Sequence, residues 1–181
     1  MTAVKVKDVT AENVDDLVGP SCAPRWDDSG HAQTLKEGGL KKKEWVRRAL
    51  QKFGCCAKIA YLEDKPVGFI EFYPMQVLPL LPKRQKRTVM ITCVLVTEKT
   101  LQKQGIGSKL VQSLVEDLKQ RPLLYFNNKP AEEIAVGSWG CHTGFPESLP
   151  RFRKFWHRNG FVEDPAFPDP TGKGGILVHR L

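Results

Sequence analysis

Two glycines two residues apart, Gly105 and Gly107, lie between an apolar run and a helical pattern. Glycine lets the backbone come close to a ligand, and the unpaired N–H groups of the first turn of a helix favour an anion. Lys103 precedes the pair and Lys109 follows it, so positive charge lies on both sides. The arrangement predicts a diphosphate site. The alternative is a strand-to-helix turn in which glycine only permits tight geometry.

The spacing of these glycines excludes two common nucleotide-binding motifs. A Rossmann fingerprint requires a third glycine or an alanine where Leu110 stands. A P-loop requires an adjacent Gly-Lys pair after four variable residues, and Gly107-Ser108-Lys109 does not supply one. What remains is a strand, a turn, and the pattern Gln-x-x-Gly-x-Gly at the start of a helix. This predicts a third kind of phosphate-binding turn.

Length and composition indicate one globular domain that attracts anions. The 181 residues are 41% hydrophobic and 27% charged, with a formal net charge of +8. A single domain over residues 1–181 is expected at this length. The positive balance favours anionic partners through long-range steering, without naming one.

The sequence gives no sign of secretion or of a membrane span. Its first residues contain no apolar core of signal-peptide length, and no run of about 18 apolar residues occurs. Five cysteines are an odd number without the spacing of a disulfide framework. These features predict a cytoplasmic protein without a membrane partner.

Hydrophobic periodicity predicts a mixed α/β chain. Strands are expected at residues 4–7, 57–63, 67–74, 89–96, 123–126, 133–138 and 175–181. Helices are expected from Thr10 to Leu17, from Leu40 to Phe53, after the two glycines, and from Pro150 to just before Gly160. Asp64-Lys65-Pro66 is expected to join the second and third strands as a hairpin.

Three segments resemble the GCN5-related N-acetyltransferase (GNAT) family. Gln102-x-x-Gly105-x-Gly107 resembles that family's acyl-CoA signature. The sequence FWHRNGF at 155–161 is similar to its later helix-end motif, and YLEDKPVGFIEF at 61–72 is similar to the paired strands before the signature. Two separated motifs in the family's order are more specific than either alone.

The resemblance implies a fold and different roles for two parts of the chain. The implied fold is mixed α/β (α+β), with a central, mostly antiparallel sheet that is splayed at the acetyl-CoA site and flanked by helices. Residues 57–181 would form the acetyl-CoA-binding core of a single GNAT-like domain. Residues 19–54 would supply helices and a loop on the substrate side.

The resemblance also implies which residues bind the cofactor and what reaction follows. The backbone of Cys93, Val94, Leu95 and Val96 would pair with the pantetheine arm of acetyl-CoA, and an N–H there would polarise the thioester carbonyl. The residues implied around the pyrophosphate are Gln102, Lys103, Gln104, Gly105, Ile106, Gly107 and Ser108. The implied chemistry is direct attack of a primary amine on acetyl-CoA, without an acyl-enzyme.

The sequence departs from the family pattern at two points. Trp156 stands where the family commonly has a tyrosine that acts as general acid, and an indole N–H cannot donate a proton at neutral pH. Trp156 is expected either to pack against the cofactor or to belong to the core. The proton for the CoA thiolate would then come from water, from Tyr125, or from the loop after residue 138. One extra residue also lies between Val96 and Gln102 relative to the commonest spacing.

Candidate catalytic residues lie on a strand and in a glycine-rich loop. Glu71 is the first candidate for the general base, because strand alternation places it opposite Ile70 and Phe72. The alternative for Glu71 is an exposed strand glutamate. Cys141 and His142 form the second candidate group, in a loop suited to substrate contacts.

Other sequence features favour neither a metal nor a nucleic acid. Cys55-Cys56 lacks the spacing of a zinc site and is expected to be buried, so no metal is predicted. The basic cluster at 83–87 has no interleaved aromatic residue, unlike surfaces that bind single strands.

Two function classes remain: an acetyl-CoA-dependent N-acetyltransferase of unknown amine, or a non-catalytic binding protein on the same fold. The second would be acyl-CoA-responsive or nucleic-acid-associated. The missing tyrosine and the net charge support it.

Overall fold

The computed structural model describes residues 3–18, 32–78, 86–137, 149–167 and 175–181. Within these ranges the strands are β1 (Lys5–Asp8), β2 (Ala57–Leu62), β3 (Lys65–Pro74), β4 (Thr88–Val96), β5 (Glu133–Gly137), β6 (Val162–Glu163) and β7 (Ile176–Arg180). The helices are α1 (Val14–Val18), α2 (Ala32–Phe53), α3 (Ile106–Gln120) and α4 (Leu149–Arg158). Short 3₁₀ segments lie at Met75–Val77, Lys99–Leu101 and Leu124–Phe126.

The strands of these ranges form one seven-stranded sheet in the order β1-β2-β3-β4-β5-β7-β6. β4 and β5 are parallel, whereas the pairs β1–β2, β5–β7 and β6–β7 are antiparallel. β3 and β4 are also antiparallel: Thr97 N–H donates to Val67 O at 3.0 Å, and Thr92 Oγ1 donates to Glu71 O at 3.3 Å. The predicted mixed, mostly antiparallel sheet flanked by helices is therefore confirmed.

The chain divides into two compact units, and β3, β4 and α3 run through both. The first unit comprises residues 1–70 and 95–110. In it, α1 packs on α2, and the Tyr61 hydroxyl donates to Asp16 Oδ2 at 2.7 Å, which ties β2 to α1. Burial, and then this hydrogen bond, raise the pKa of the Tyr61 phenol well above its usual range, so Tyr61 stays a donor.

The second unit comprises residues 71–94 and 111–181. One of its core clusters joins side chains of β4, β5 and β7 to the 3₁₀ turn that follows β3: Met75, Met90, Ala135, Ile176 and Val178. β5 lies between β4 and β7, and all five of its residues are buried. Burial on both faces explains why its sequence, EIAVG, has few polar residues.

The predicted strand at 123–126 is wrong, because Leu124–Phe126 forms a 3₁₀ turn. Asn127 and Asn128 both adopt positive φ (54° and 58°), and Leu123 N–H donates to Lys129 O at 3.1 Å. Asparagine tolerates this left-handed conformation, so the chain reverses where a strand would continue. The apolar residues of this run therefore serve a turn, and only Leu123 and Phe126 are buried.

Two predicted boundaries also move. Helix α2 begins at Ala32, eight residues before the predicted start at Leu40. The hairpin between β2 and β3 turns at Glu63 and Asp64, whose φ values of 50° and 61° are those of a tight two-residue turn. The vicinal cysteines Cys55 and Cys56 are buried, as predicted.

Helix α4 ends in a capped turn that requires glycine. Gly160 N–H donates to His157 O at 3.0 Å, and Phe161 N–H donates to Trp156 O at 3.1 Å. These are the two bonds of a Schellman motif, with Gly160 at φ +84°. A Cβ at Gly160 would lie 3.0 Å from the His179 ring, so both conformation and space select glycine.

We expect Gly160→Ala to lower the free energy of unfolding by about 1–2 kcal/mol, because alanine is strained at positive φ. Gly38→Ala is the matched control: Gly38 is exposed within α2, and a Cβ there meets nothing within 4 Å. That control should raise the free energy of unfolding by up to about 1 kcal/mol. Urea denaturation measures both. An unfolding free energy for Gly160→Ala at or above that of the wild type would contradict the capping role.

Candidate functional site

The segment Gln102–Ser108, here called the glycine turn, has a backbone suited to binding an anion. Lys103 has φ +65° and Gly105 has φ +84°, whereas Gln104 and Ile106 keep ordinary negative φ. Backbone of alternating hand directs successive N–H groups to one side and forms an anion-binding concavity. Lysine seldom adopts positive φ, so the chain accepts local strain here, as functional sites often do.

The start of α3 adds the field of a helix N-terminus to the glycine turn. The first intrahelical bond is from Lys109 N–H to Gly105 O, at 2.9 Å. The amides of Ile106 and Gly107 precede it and have no partner within the helix. No acidic residue lies in this first turn, so nothing there opposes a bound anion. A Cβ at Gly105 would meet nothing within 4 Å, so the space beside it is open.

Side chains of the glycine turn mainly brace the turn itself. Gln102 Nε2 donates to Val96 O at 3.2 Å, and Gln102 N–H donates to Lys99 O at 3.2 Å. Gln104 Nε2 donates to Thr100 O at 2.7 Å. This favours a supporting role for the two glutamines over direct phosphate contact. Lys103 is exposed and remains the predicted positive side chain of the turn.

Gly68 on β3 fixes the end of β4, which leads into the glycine turn. A Cβ at Gly68 would lie 2.7 Å from Leu95 O and 3.4 Å from Val96 Cα. No side chain fits at the shorter distance, so β3 and β4 approach here only because residue 68 is glycine. The bond from Thr97 N–H to Val67 O locks the same end of the strand pair.

The register between β4 and β5 covers only the first half of β4. The parallel register between them runs from Thr88–Glu133 to Ile91–Val136 and ends there. Burial changes at the same place: the four residues up to Ile91 are buried, Thr92 is exposed, and Cys93–Val96 are partly exposed. Among the described residues, which end at Gly137 on this side, the second half of β4 thus has a strand edge without a partner on its β5 side. Such an edge can pair with an extended ligand.

Glu71 lies on β3 and is 6% exposed. The alternative of an exposed strand glutamate is therefore wrong, because every residue of β3 from Val67 onward is buried. The main-chain carbonyl of Glu71 accepts a hydrogen bond from the Thr92 hydroxyl. Glu71 therefore lies beside the first residue after the end of the β4–β5 register. The role of Glu71 as general base stays a prediction.

Trp156 is fully buried in an aromatic cluster. Its ring makes edge-to-face contacts with Phe152, Phe155 and Phe161 at centroid distances of 5.8, 5.0 and 4.9 Å. This packing favours the core alternative for Trp156 over contact with a cofactor. Tyr125 is half-buried beside Phe126 in the 3₁₀ turn, with centroids 5.5 Å apart.

Cys141 and His142 lie outside the described residues, and their catalytic role stays a prediction. Two residues of the site, Gly68 and Thr92, were not predicted from the sequence. The available signals were a glycine inside a strand pattern and a single hydroxyl inside the apolar run VMITCVLV.

We expect Gly68→Ala to lower the free energy of unfolding by about 1–3 kcal/mol, because its Cβ overlaps Leu95 O. Urea denaturation measures the change, with Gly38→Ala again as the glycine-to-alanine control. Hydrogen exchange at the Thr97 amide should also accelerate, since this N–H bonds to Val67. Unchanged stability together with unchanged exchange would contradict the close approach of β3 and β4.

Comparison with known proteins places this geometry in a family. The model of the acetyltransferase (GNAT) family matches residues 18–140. Among curated proteins, no sequence matches the chain significantly. No helix among the described residues has the length and apolar character needed to cross a membrane.

Solved structures share the fold at low sequence identity. An acetyltransferase from Thermus thermophilus is 14% identical, with 100% of both chains covered and a TM-score of 0.64. The PaiA N-acetyltransferase of Thermoplasma acidophilum, in complex with coenzyme A, is 13% identical over 99% of both chains, with a TM-score of 0.60.

The aminoglycoside acetyltransferase AAC(6')-Ib, in complex with coenzyme A and kanamycin, is 18% identical. The match covers 98% of this chain and 95% of that one, with a TM-score of 0.64. Because the family model matches well over half of the chain, including the glycine turn and β4, the protein belongs to the GNAT acetyltransferase family, whose activity is acyl-CoA-dependent acetyl transfer.

Proposed function

We propose that the protein is an N-acetyltransferase that transfers the acetyl group of acetyl-CoA to a primary amine by direct attack. The observation that carries this proposal is the glycine turn, with alternating φ at Lys103–Ile106 and a helix N-terminus free of acidic residues. Membership of the GNAT family supports acetyl-CoA as the donor. The compartment proposed is the cytoplasm.

The donor would bind along the second half of β4 and at the glycine turn. Amide and carbonyl groups of Cys93–Val96 would pair with the pantetheine arm as a neighbouring strand would. The pyrophosphate would lie on the N–H groups that begin α3, with Lys103 adding positive charge. A main-chain N–H of β4 would polarise the thioester carbonyl and stabilise the oxyanion of the tetrahedral intermediate.

The reaction would proceed in one addition and one elimination. The neutral amine attacks the thioester carbon, the N–C bond forms, and the carbonyl oxygen takes the electron pair. The intermediate then collapses, the C–S bond breaks, and CoA leaves as a thiolate that takes up a proton. Glu71 is the proposed base for the amine proton, directly or through one water, and Cys141 with His142 is the second candidate group.

A non-catalytic acyl-CoA-binding protein is the second candidate function. The observation that favours it is Trp156, which stands where the family commonly has a phenol and lies fully buried among phenylalanines. The nucleic-acid variant has less support among the described residues. Two basic residues ahead of β4 already pair with carboxylates: Lys86 with Glu133 at 3.6 Å, and Arg87 with Glu132 at 3.2 Å.

Acetyl-CoA binding tests the donor site. At 100 times the dissociation constant a ligand adds about 2.7 kcal/mol to the native state, which for a chain of this size raises the melting temperature by roughly 5–10 °C. We expect this shift for wild type and none for Gly105→Glu, which puts a carboxylate into the anion site. Gly38→Glu is the control, since it adds the same charge at another exposed glycine, and it should retain the shift.

Either of two results would count against the donor site. Absence of any shift in wild type at millimolar acetyl-CoA would contradict acetyl-CoA as donor. An equal shift in wild type and Gly105→Glu would move the phosphate site away from the glycine turn.

Replacing the proposed base tests the chemistry. We expect Glu71→Gln to lower kcat roughly 100-fold or more while the KM for acetyl-CoA changes little, because only proton transfer is removed. Free CoA release, measured with a thiol reagent, reports the rate. Glu133→Gln is the matched control: Glu133 is also a buried strand glutamate, and its Oε1 accepts a hydrogen bond from Thr88 Oγ1 at 2.8 Å at the start of β4. Similar kcat losses in both variants would identify a packing effect and remove Glu71 as base.

A further inference from the structure

Thr92 occupies a distinctive position on β4. It is the first residue after the parallel register with β5 ends at Ile91, and it is the only exposed residue of the strand. A hydroxyl interrupts an otherwise apolar run, VMITCVLV, at that point. Because Thr92 is exposed, a ligand can reach its hydroxyl.

The hydrogen bond of Thr92 determines what its hydroxyl can offer to a ligand. Thr92 Oγ1 donates to Glu71 O at 3.3 Å. A hydroxyl has one proton to donate and two lone pairs that accept. Because the proton is directed to the β3 carbonyl, the exposed side of Oγ1 presents lone pairs. The group is therefore prepared to accept a hydrogen bond, and an N–H is the complementary donor.

We propose that Thr92 Oγ1 accepts one N–H of the substrate amine and so selects primary over secondary amines. This inference rests on the proposed N-acetyltransferase function and assigns a specificity-determining residue to it. As the amine lone pair forms the N–C bond, nitrogen becomes positive and carries two protons if the amine is primary. One proton goes to the base, and the other stays hydrogen-bonded to Thr92 Oγ1.

A secondary amine cannot satisfy both groups. After attack its nitrogen carries a single proton, and that proton must leave to the base before the C–S bond breaks. While the nitrogen is positively charged, its single N–H is directed to the base, so Thr92 Oγ1 has no donor at that stage. The loss of one such hydrogen bond corresponds to about a tenfold discrimination.

Thr97 supplies the matched control for a purely structural role. Its Oγ1 donates to Val67 O at 3.1 Å, which is also a side-chain bond to a main-chain carbonyl of β3. If Thr92 only joined β3 to β4, Thr92→Val and Thr97→Val would have the same consequences. Valine keeps the shape and the β-branch of threonine and replaces the hydroxyl with a methyl group.

The experiment measures acetylation of benzylamine, 1,4-diaminobutane and L-lysinamide, together with their mono-N-methyl derivatives. For Thr92→Val we expect kcat/KM for the primary amine to fall about tenfold, and the ratio of kcat/KM between primary and N-methyl amine to fall by a similar factor. The KM for acetyl-CoA should not change. Thr92→Ser should restore the preference, and Thr97→Val should keep the wild-type preference.

Several results would overturn the inference. A Thr92→Val enzyme with the wild-type preference would do so, as would an equal loss in Thr97→Val or a rise in the KM for acetyl-CoA alone.

If wild type turns over none of the amines, the proposed function fails, and equilibrium dialysis of the three primary amines against CoA-loaded protein decides the inference separately. Weaker amine binding by Thr92→Val than by wild type would support the role of Thr92. No amine binding by wild type would overturn it.

Discussion

The end of the β4–β5 register at Ile91 is the constraint on which the rest of the candidate site depends. Up to that residue β4 is an interior strand whose main chain is bonded on both sides; beyond it, one side has no registered β5 partner among the described residues. An open strand edge inside a sheet is costly, because backbone N–H and C=O groups need partners. A ligand with an extended amide chain, such as the proposed donor acetyl-CoA, would supply such partners.

On its other side, the end of β4 packs closely against β3. Gly68 lets β3 approach within a distance that no side chain would allow, and Thr97 bonds twice to Val67 O, through its N–H and its hydroxyl. These contacts fix the end of β4 on its β3 side, while its β5 side has no strand partner among the described residues. The glycine turn follows directly, and its strained φ at Lys103 is maintained because both ends of the turn are anchored.

Much of the fold follows from local pattern, and the site follows from it only in part. Within the described ranges, alternating and helical periodicity predicted six of the seven strands and all four helices, and the two-motif resemblance predicted the family. The apolar run LLYF was wrongly predicted to be a strand, because two asparagines reverse the chain just after it. The first turns of α2 were missed because Gly38 and Gly39 weaken the helical pattern.

One physical reason explains why Gly68 and Thr92 were not predicted from the sequence. The role of Gly68 depends on Leu95, and the role of Thr92 depends on where β5 ends its register, so both are set by a second strand that local pattern does not include. For Trp156 the sequence left two alternatives, cofactor contact or core packing, and its aromatic neighbours on α4 favour the second.

Lys109 connects the beginning of the chain to the helix that begins at the glycine turn. Its Nζ donates to Val4 O at 3.2 Å, next to the first residue of β1. Tension or bulk applied to the N-terminal segment is therefore transmitted to the first turn of α3. An affinity tag joined at that end would therefore act on the helix that carries the proposed phosphate site. A tag after Leu181, whose N–H bonds to Glu132 O, would act on the start of β5 instead.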